Sequence, residues 1–238
     1  MILVPNVVTR PKKDLQTVLA RLPDGQQGKV NSLLSLRSEN SPLINLTGVF
    51  VRFHQIRILD NHSSILGVDI SADVYPIIMV VSDASDSPYE FKFLSVFNDV
   101  KDLDTLTIDH GLDVARNYSG KIPRFFDIHV VLMKSNERTR DIAKAIQEAI
   151  NSETGKALQT TITTAINAAN PIAGVIVSAA TSLLSLITGI LSKEKDEQIF
   201  YGVASFEDDP DNLGIGSQRM MTDKKNATII YEVIPRHS

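Results

Sequence analysis

The sequence predicts a mainly β protein with an α insertion: an antiparallel β-sandwich interrupted by a block of three helices. Three observations carry this. Between residues 46 and 134 apolar side chains recur at every second position in short runs, and turn residues separate those runs without room for helices. From 135 to 197 the apolar spacing lengthens to that of a helix, and after 198 the alternation returns. The organisation this implies is an N-terminal arm or peripheral layer over 1–45, a sandwich built from 46–134 and 198–238, and an inserted helical block over 135–197.

In the first 45 residues, "RPKKD", "LPDGQQG" and "SENSPL" mark turns around one short helix near 14–21. "LTGVFVRFHQIRIL" opens the β region. Val49, Val51 and Phe53 share one face, then Ile56 and Ile58 take over with the opposite parity, which predicts a bulge near His54 and Gln55. "VYPIIMVVS" (74–82) is apolar without alternation, as in a strand covered on both faces. After the turn "SDASDSP", Tyr89, Phe91 and Phe93 alternate, a short strand follows at 105–108, and "FFDIHVVLM" (125–133) puts Phe126, Ile128, Val130 and Leu132 on one side.

The helical block begins at "SNERTRDIAKAIQEAINSETG". Ile142, Ala145, Ile146, Ala149 and Ile150 form an apolar stripe, with Ser135 or Asn136 available as the cap. After the break at "NSETG", Leu158, Ile162, Ala165, Ile166 and Ala169 repeat the spacing. Asn170-Pro171 then resets the chain for a third helix over 171–191. "QIFYGVASF" and "ATIIYEVI" supply the closing strands, which are too few for a sheet of their own and so must join the earlier ones.

The 238 residues carry 24 basic and 28 acidic side chains and a net charge of −4, without a basic patch, so nucleic acid is not an expected partner. There is no cysteine, which removes disulfides, thiolate metal sites and cysteine nucleophiles together. The start "MILVPNVVTRPKKD" lacks a basic region ahead of its short apolar run, so no secretory signal is expected and the chain reads as one synthesised in soluble form.

Residues 157–192 contain no Asp, Glu, Lys or Arg, and they form two helical arms around Asn-Pro: an apolar αα-hairpin. Small residues recur along the second arm at Gly174, Ser178, Ser182, Ser185 and Gly189, a pattern that permits close approach of a neighbouring helix. These five are the candidate interaction surface. The leading expectation is a non-enzymatic interaction or assembly module, packing its hairpin against the sandwich or a partner subunit, with a homo-oligomer or another protein as partner. In outline the stretch resembles the apolar hairpin of colicin-type pore formers, which implies a rival: a membrane-active, toxin-like protein inserting 157–192 into lipid. The second arm is long enough for a bilayer core of about 30 Å, whereas the first is too short and too rich in threonine.

"FEDDPDNLG" gathers Asp208, Asp209 and Asp211, and "SDASD" adds Asp83 and Asp86. Carboxylates clustered on sandwich loops suit Ca²⁺, and in this the strand-rich part resembles C2-type domains, which implies a C2-like outline and Ca²⁺ as the one candidate cofactor. Plain turn chemistry is the competing reading. The five histidines show no metal-ligand spacing, His54 and His129 are expected to alternate outwards, and "LGIGSQR" lacks the third glycine of a phosphate loop. No catalytic residue is assigned. A hydrolase assembled from distant residues on the sandwich loops is the third functional reading.

Overall fold

A computed structural model describes residues 46–237 apart from 66–67, 85–88, 117–122, 136–141, 169–172, 194–195, 209–211 and 217. The expected arm over 1–45, the short helix near 14–21, the Asn136 cap and the Asn170-Pro171 tip lie outside the described residues.

Among the described residues the fold is α+β, with two antiparallel sheets and three α-helices in one block. The strands are β1 (Leu46–Ile58), β2 (Ser64–Ile65), β3 (Val68–Asp69), β4 (Ala72–Ser82), β5 (Tyr89–Phe93), β6 (Phe97–Val100), β7 (Thr105–Arg116), β8 (Phe125–Ser135), β9 (Glu197–Glu207), β10 (Arg219–Thr222) and β11 (Ala227–His237). Sheet I has the order β10-β11-β1-β7. Sheet II runs β5-β4-β8-β9 with β6 also paired to β4, and β2 and β3 form a small separate hairpin.

The expected bulge is present, since β1 shifts register between Phe53 and Gln55 against both of its neighbours. Its effect is to keep Ile56 and Ile58 in the core with Val49, Val51 and Phe53 despite the change of parity. Opposite them, Ala227, Ile229, Tyr231 and Val233 of β11 are buried, and Phe53 and Tyr231 are cross-strand partners. The 105–108 strand extends to Arg116, further than its apolar residues indicate, because β1 supplies a hydrogen-bonding edge along that length.

One apolar cluster takes residues from β1 and β11 of sheet I and from β4, β8 and β9 of sheet II, so the two sheets share a core. A second cluster lies between the other face of sheet II and the helices α1 (Ile142–Asn151), α2 (Glu153–Asn167) and α3 (Ala173–Lys193). That arrangement explains β4 and β8, the two inner strands of sheet II. Every residue of β4 is buried, and β8 is buried except at Ser135, because one face meets sheet I and the other meets the helices.

The helix stripes seat as their spacing requires. Ile142, Ile146 and Ala149 of α1 and Ile162 and Ile166 of α2 are buried, while α3 buries Ile176, Ala180, Leu183, Ile187 and Leu191. The cap expected from Ser135 concerns a helix start that adjoins residues 136–141, outside the described residues. Ser135 itself is the last residue of β8, paired with Asp73 of β4, and α1 is described from Ile142. The cap that is seen belongs to α2, where the Ser152 hydroxyl accepts from the Gly155 amide at 3.1 Å. Gly155 is fixed by close approach, because a Cβ there would lie 2.3 Å from the Ala149 carbonyl oxygen.

Candidate functional site

The helical block leaves the sheet at the end of β8 and returns at the start of β9, and these two strands pair directly, with Lys134 opposite Glu197. At this base the Lys134 ammonium, largely buried, bonds Glu197 Oε2 at 2.9 Å and donates to the His62 carbonyl at 2.8 Å. The other Glu197 oxygen lies 3.1 Å from His62 Nδ1, and His62 Nε2 lies 3.1 Å from Asn226 Oδ1 in the β10–β11 turn. Burial opposes charge on both groups. Even so, the bonds to Asn226 and Glu197 hold the His62 ring above its usual value, and the bonds from Lys134 and His62 hold the Glu197 carboxyl below its own. Just beyond, the buried Tyr75 hydroxyl donates to Asp196 Oδ2 at 2.7 Å. The two ends of the insertion are thus fastened to sheet II and to a turn of sheet I.

Under the helices the sheet face is not uniformly apolar. Alternation along β8 puts Phe125, Val131 and Met133 in the cluster beneath the helices, and Asp127 and His129 occupy the positions between. Asp127 is 2% exposed and His129 is fully buried. The expected outward orientation of His129 is therefore overturned. The run "FFDIHVVLM" is apolar at both parities apart from these two residues, and that signal of a strand covered twice was present in the sequence.

His129 Nδ1 lies 2.9 Å from the Tyr201 hydroxyl of β9, which lies 3.1 Å from Thr181 Oγ1 of α3. The Thr181 hydroxyl in turn donates to the Val177 carbonyl one helical turn back, at 2.7 Å. His129 Nε2 and Asp127 Oδ2 have no hydrogen-bond partner. Burial pulls the His129 ring down to about 3 and pushes the Asp127 carboxyl up to about 7, the latter against the bond from Ser205 and helped by Glu207. Both groups are neutral over a broad range below pH 7. A neutral acid and a neutral imidazole two residues apart on one strand face form a buried polar pair without ionic character.

The outer side of the block is of another kind. On α3, Gly174, Ser178, Ser182 and Gly189 are exposed, Ser185 is half-buried, and Val175 stands 42% exposed. A Cβ added at Gly174 or Gly189 would meet nothing within 4 Å, so these glycines face open space while Ile176, Leu183, Ile187 and Leu191 of α3 face inwards. On α2, Thr160, Thr161 and Thr164 are exposed. Hydroxyls of the block turn back on their own helices: Thr160 to Lys156, Thr161 to Ala157, Thr163 to Gln159 and Ser182 to Ser178, all at 2.9–3.0 Å. Donors already used in this way cost less to remove from water.

Of the candidate Ca²⁺ ligands, Asp86, Asp209 and Asp211 lie outside the described residues. Asp83 and Asp208 do come to one place, around Arg124. The Asp83 carboxylate takes the Arg124 amide at 2.9 Å and its Nε at 2.6 Å, and the Asp208 amide donates to the Arg124 carbonyl at 2.9 Å. One Asp83 oxygen is engaged by the Arg124 guanidinium and the other by the Arg124 backbone amide, and no group of three or more His, Asp or Glu suited to a metal occurs among the described residues. Between the outer strands β9 and β10 runs a groove of about 460 Å³ bordered by Tyr201, Met220, Met221 and Tyr231.

No protein-family model matches this chain, and no curated protein matches it.

Proposed function

We propose that the protein is a non-enzymatic interaction or assembly module that docks through the uncharged outer face of α2 and α3, with a second copy of the chain as the partner. The observation that carries this is the division of α3 into two faces: the inward one holds Ile176, Leu183 and Ile187, the outward one Gly174, Ser178, Ser182 and Gly189. A lone surface helix normally sets charge towards water. Here residues 157–192 carry none, and the exposed hydroxyls of Thr160, Thr161 and Ser182 bond to their own backbone, so the face is cheap to dehydrate and its small residues let another helix approach. The test is solution mass by light scattering over a concentration series. Concentration-dependent dimers that Ser182→Lys abolishes are the expected result, and a monomer at all concentrations overturns the reading.

One observation favours a second reading, in which the block enters a lipid bilayer. The Gly174–Ser192 stretch of α3 is long and apolar enough to cross a membrane, with mean hydropathy 2.0, although half of it is buried against the rest of the protein. Flotation with liposomes separates the readings. Co-flotation of the intact chain supports insertion, and a dimer that ignores lipid supports assembly.

A further inference from the structure

We propose that the helical block is a hinged lid: α1, α2 and α3 swing off sheet II together, about the fastened base at Lys134 and Glu197, while the two sheets stay packed on each other. The two apolar clusters have no residue in common, and the one between the sheets contains no residue of α1, α2 or α3. Lifting the block therefore opens one core and spares the other.

The attachment is asymmetric. At the base, Lys134, Glu197, His62 and Asn226 are linked by bonds of 2.8–3.1 Å that involve no residue of the block's helices, so both ends of the insertion stay anchored when the helices leave. Across the rest of the interface, α2 and α3 have no charged side chain between 157 and 192 with which to grip the sheet. Their contacts there are apolar packing joined by polar links such as Thr181 to Tyr201 and the Ile166 carbonyl to Arg124. The closed state also strands polar atoms: His129 Nε2 and Asp127 Oδ2 lie unpartnered beneath the lid, and opening returns both to water. Opening uncovers the sheet face around Met79, Val131 and Met133 and the underside of α3. The inference does not depend on docking through the outer face, since that face is exposed with the lid closed.

The absence of cysteine makes the test clean. Val131 and Val130 are neighbours on β8, 1% and 0% exposed, facing the lid cluster and the inter-sheet cluster respectively. Single variants Val131→Cys and Val130→Cys are treated with iodoacetamide without denaturant. Labelling of Val131→Cys faster by roughly tenfold or more, with the two rates converging as denaturant brings on global unfolding, is the expected result. Equal rates without denaturant overturn the lid. Should either variant fail to fold, native-state hydrogen exchange of the unmodified chain decides. The three helices sharing one opening free energy below that of β1 and β11 supports the lid, and helices that exchange independently or together with the sheets overturn it.

Discussion

The Tyr201 hydroxyl stands 2.9 Å from His129 Nδ1 and 3.1 Å from Thr181 Oγ1, so one phenol joins the centre of sheet II to α3. Because the Thr181 hydroxyl donates to the Val177 carbonyl, it receives from Tyr201, and Tyr201 receives from the His129 Nδ1–H. This order satisfies every group except His129 Nε2, which is left as a bare acceptor. Tyr201→Phe removes the link and leaves both ring nitrogens of a buried histidine unpaired. A loss of about 1–3 kcal/mol in urea-induced unfolding is expected.

Acid dependence follows from the pair beneath the helices. His129 binds its proton at about 3 in the folded protein against 6.5 ordinarily, so its contribution is complete above pH 6.5 and is lost as pH falls towards 3. Asp127 shifts from 3.8 up to about 7, which has the opposite sign: its contribution is greatest below pH 4 and is lost as pH rises through 7. Between about pH 4 and 6.5 the folded pair holds one proton on Asp127 and the unfolded pair holds one on His129, so the two effects cancel. Single substitutions expose each of them. Relative to the unaltered chain, Asp127→Asn adds a slope of about +1.4 kcal/mol per pH unit in this window and His129→Gln adds one of about −1.4, read from unfolding curves at pH 4.5 and 6. Parallel profiles for all three proteins would refute the buried neutral pair.

Ser182 and Leu183 are adjacent on α3, one exposed and one fully buried. Ser182→Lys places its charge in water and is expected to leave unfolding free energy within about 0.5 kcal/mol. Leu183→Lys puts an ammonium into the helix–sheet cluster and is expected to prevent folding, as judged by near-ultraviolet circular dichroism and soluble yield. Only the first variant therefore reports on association, and a folded Leu183→Lys protein would show that this side of α3 is not seated as described.

The strands were legible because each carries its face in its parity. Phe53 to Ile56 is the clearest instance, where the slip in pattern marks the register shift seen against both neighbours. The double cover of β4 was legible for the same reason, since "VYPIIMVVS" has no polar side. His129 was misread because a polar residue on a strand ordinarily marks water, although its neighbours in the run are apolar at both parities. The polar link itself needs Tyr201 and Thr181 from two other elements. Likewise Asp83, Arg124 and Asp208 lie far apart in sequence, and which charges meet at a sheet end is set by tertiary approach.

Gly174 and Gly189 are helical residues with open space around the missing Cβ, so the fold does not require either glycine. Alanine lowers the backbone entropy cost of a helix by about 0.5–1 kcal/mol relative to glycine, and neither site holds a neighbour to clash with. Gly174→Ala and Gly189→Ala are each expected to raise thermal stability, measured by calorimetry on dilute protein. If these positions let a second α3 approach closely, the added methyl groups hold the helices apart, and the double variant is expected to associate about tenfold more weakly in sedimentation equilibrium. Stability and association then move in opposite directions. An increase in both would place the interface elsewhere on the molecule, and a decrease in both would mean that the glycines serve α3 itself.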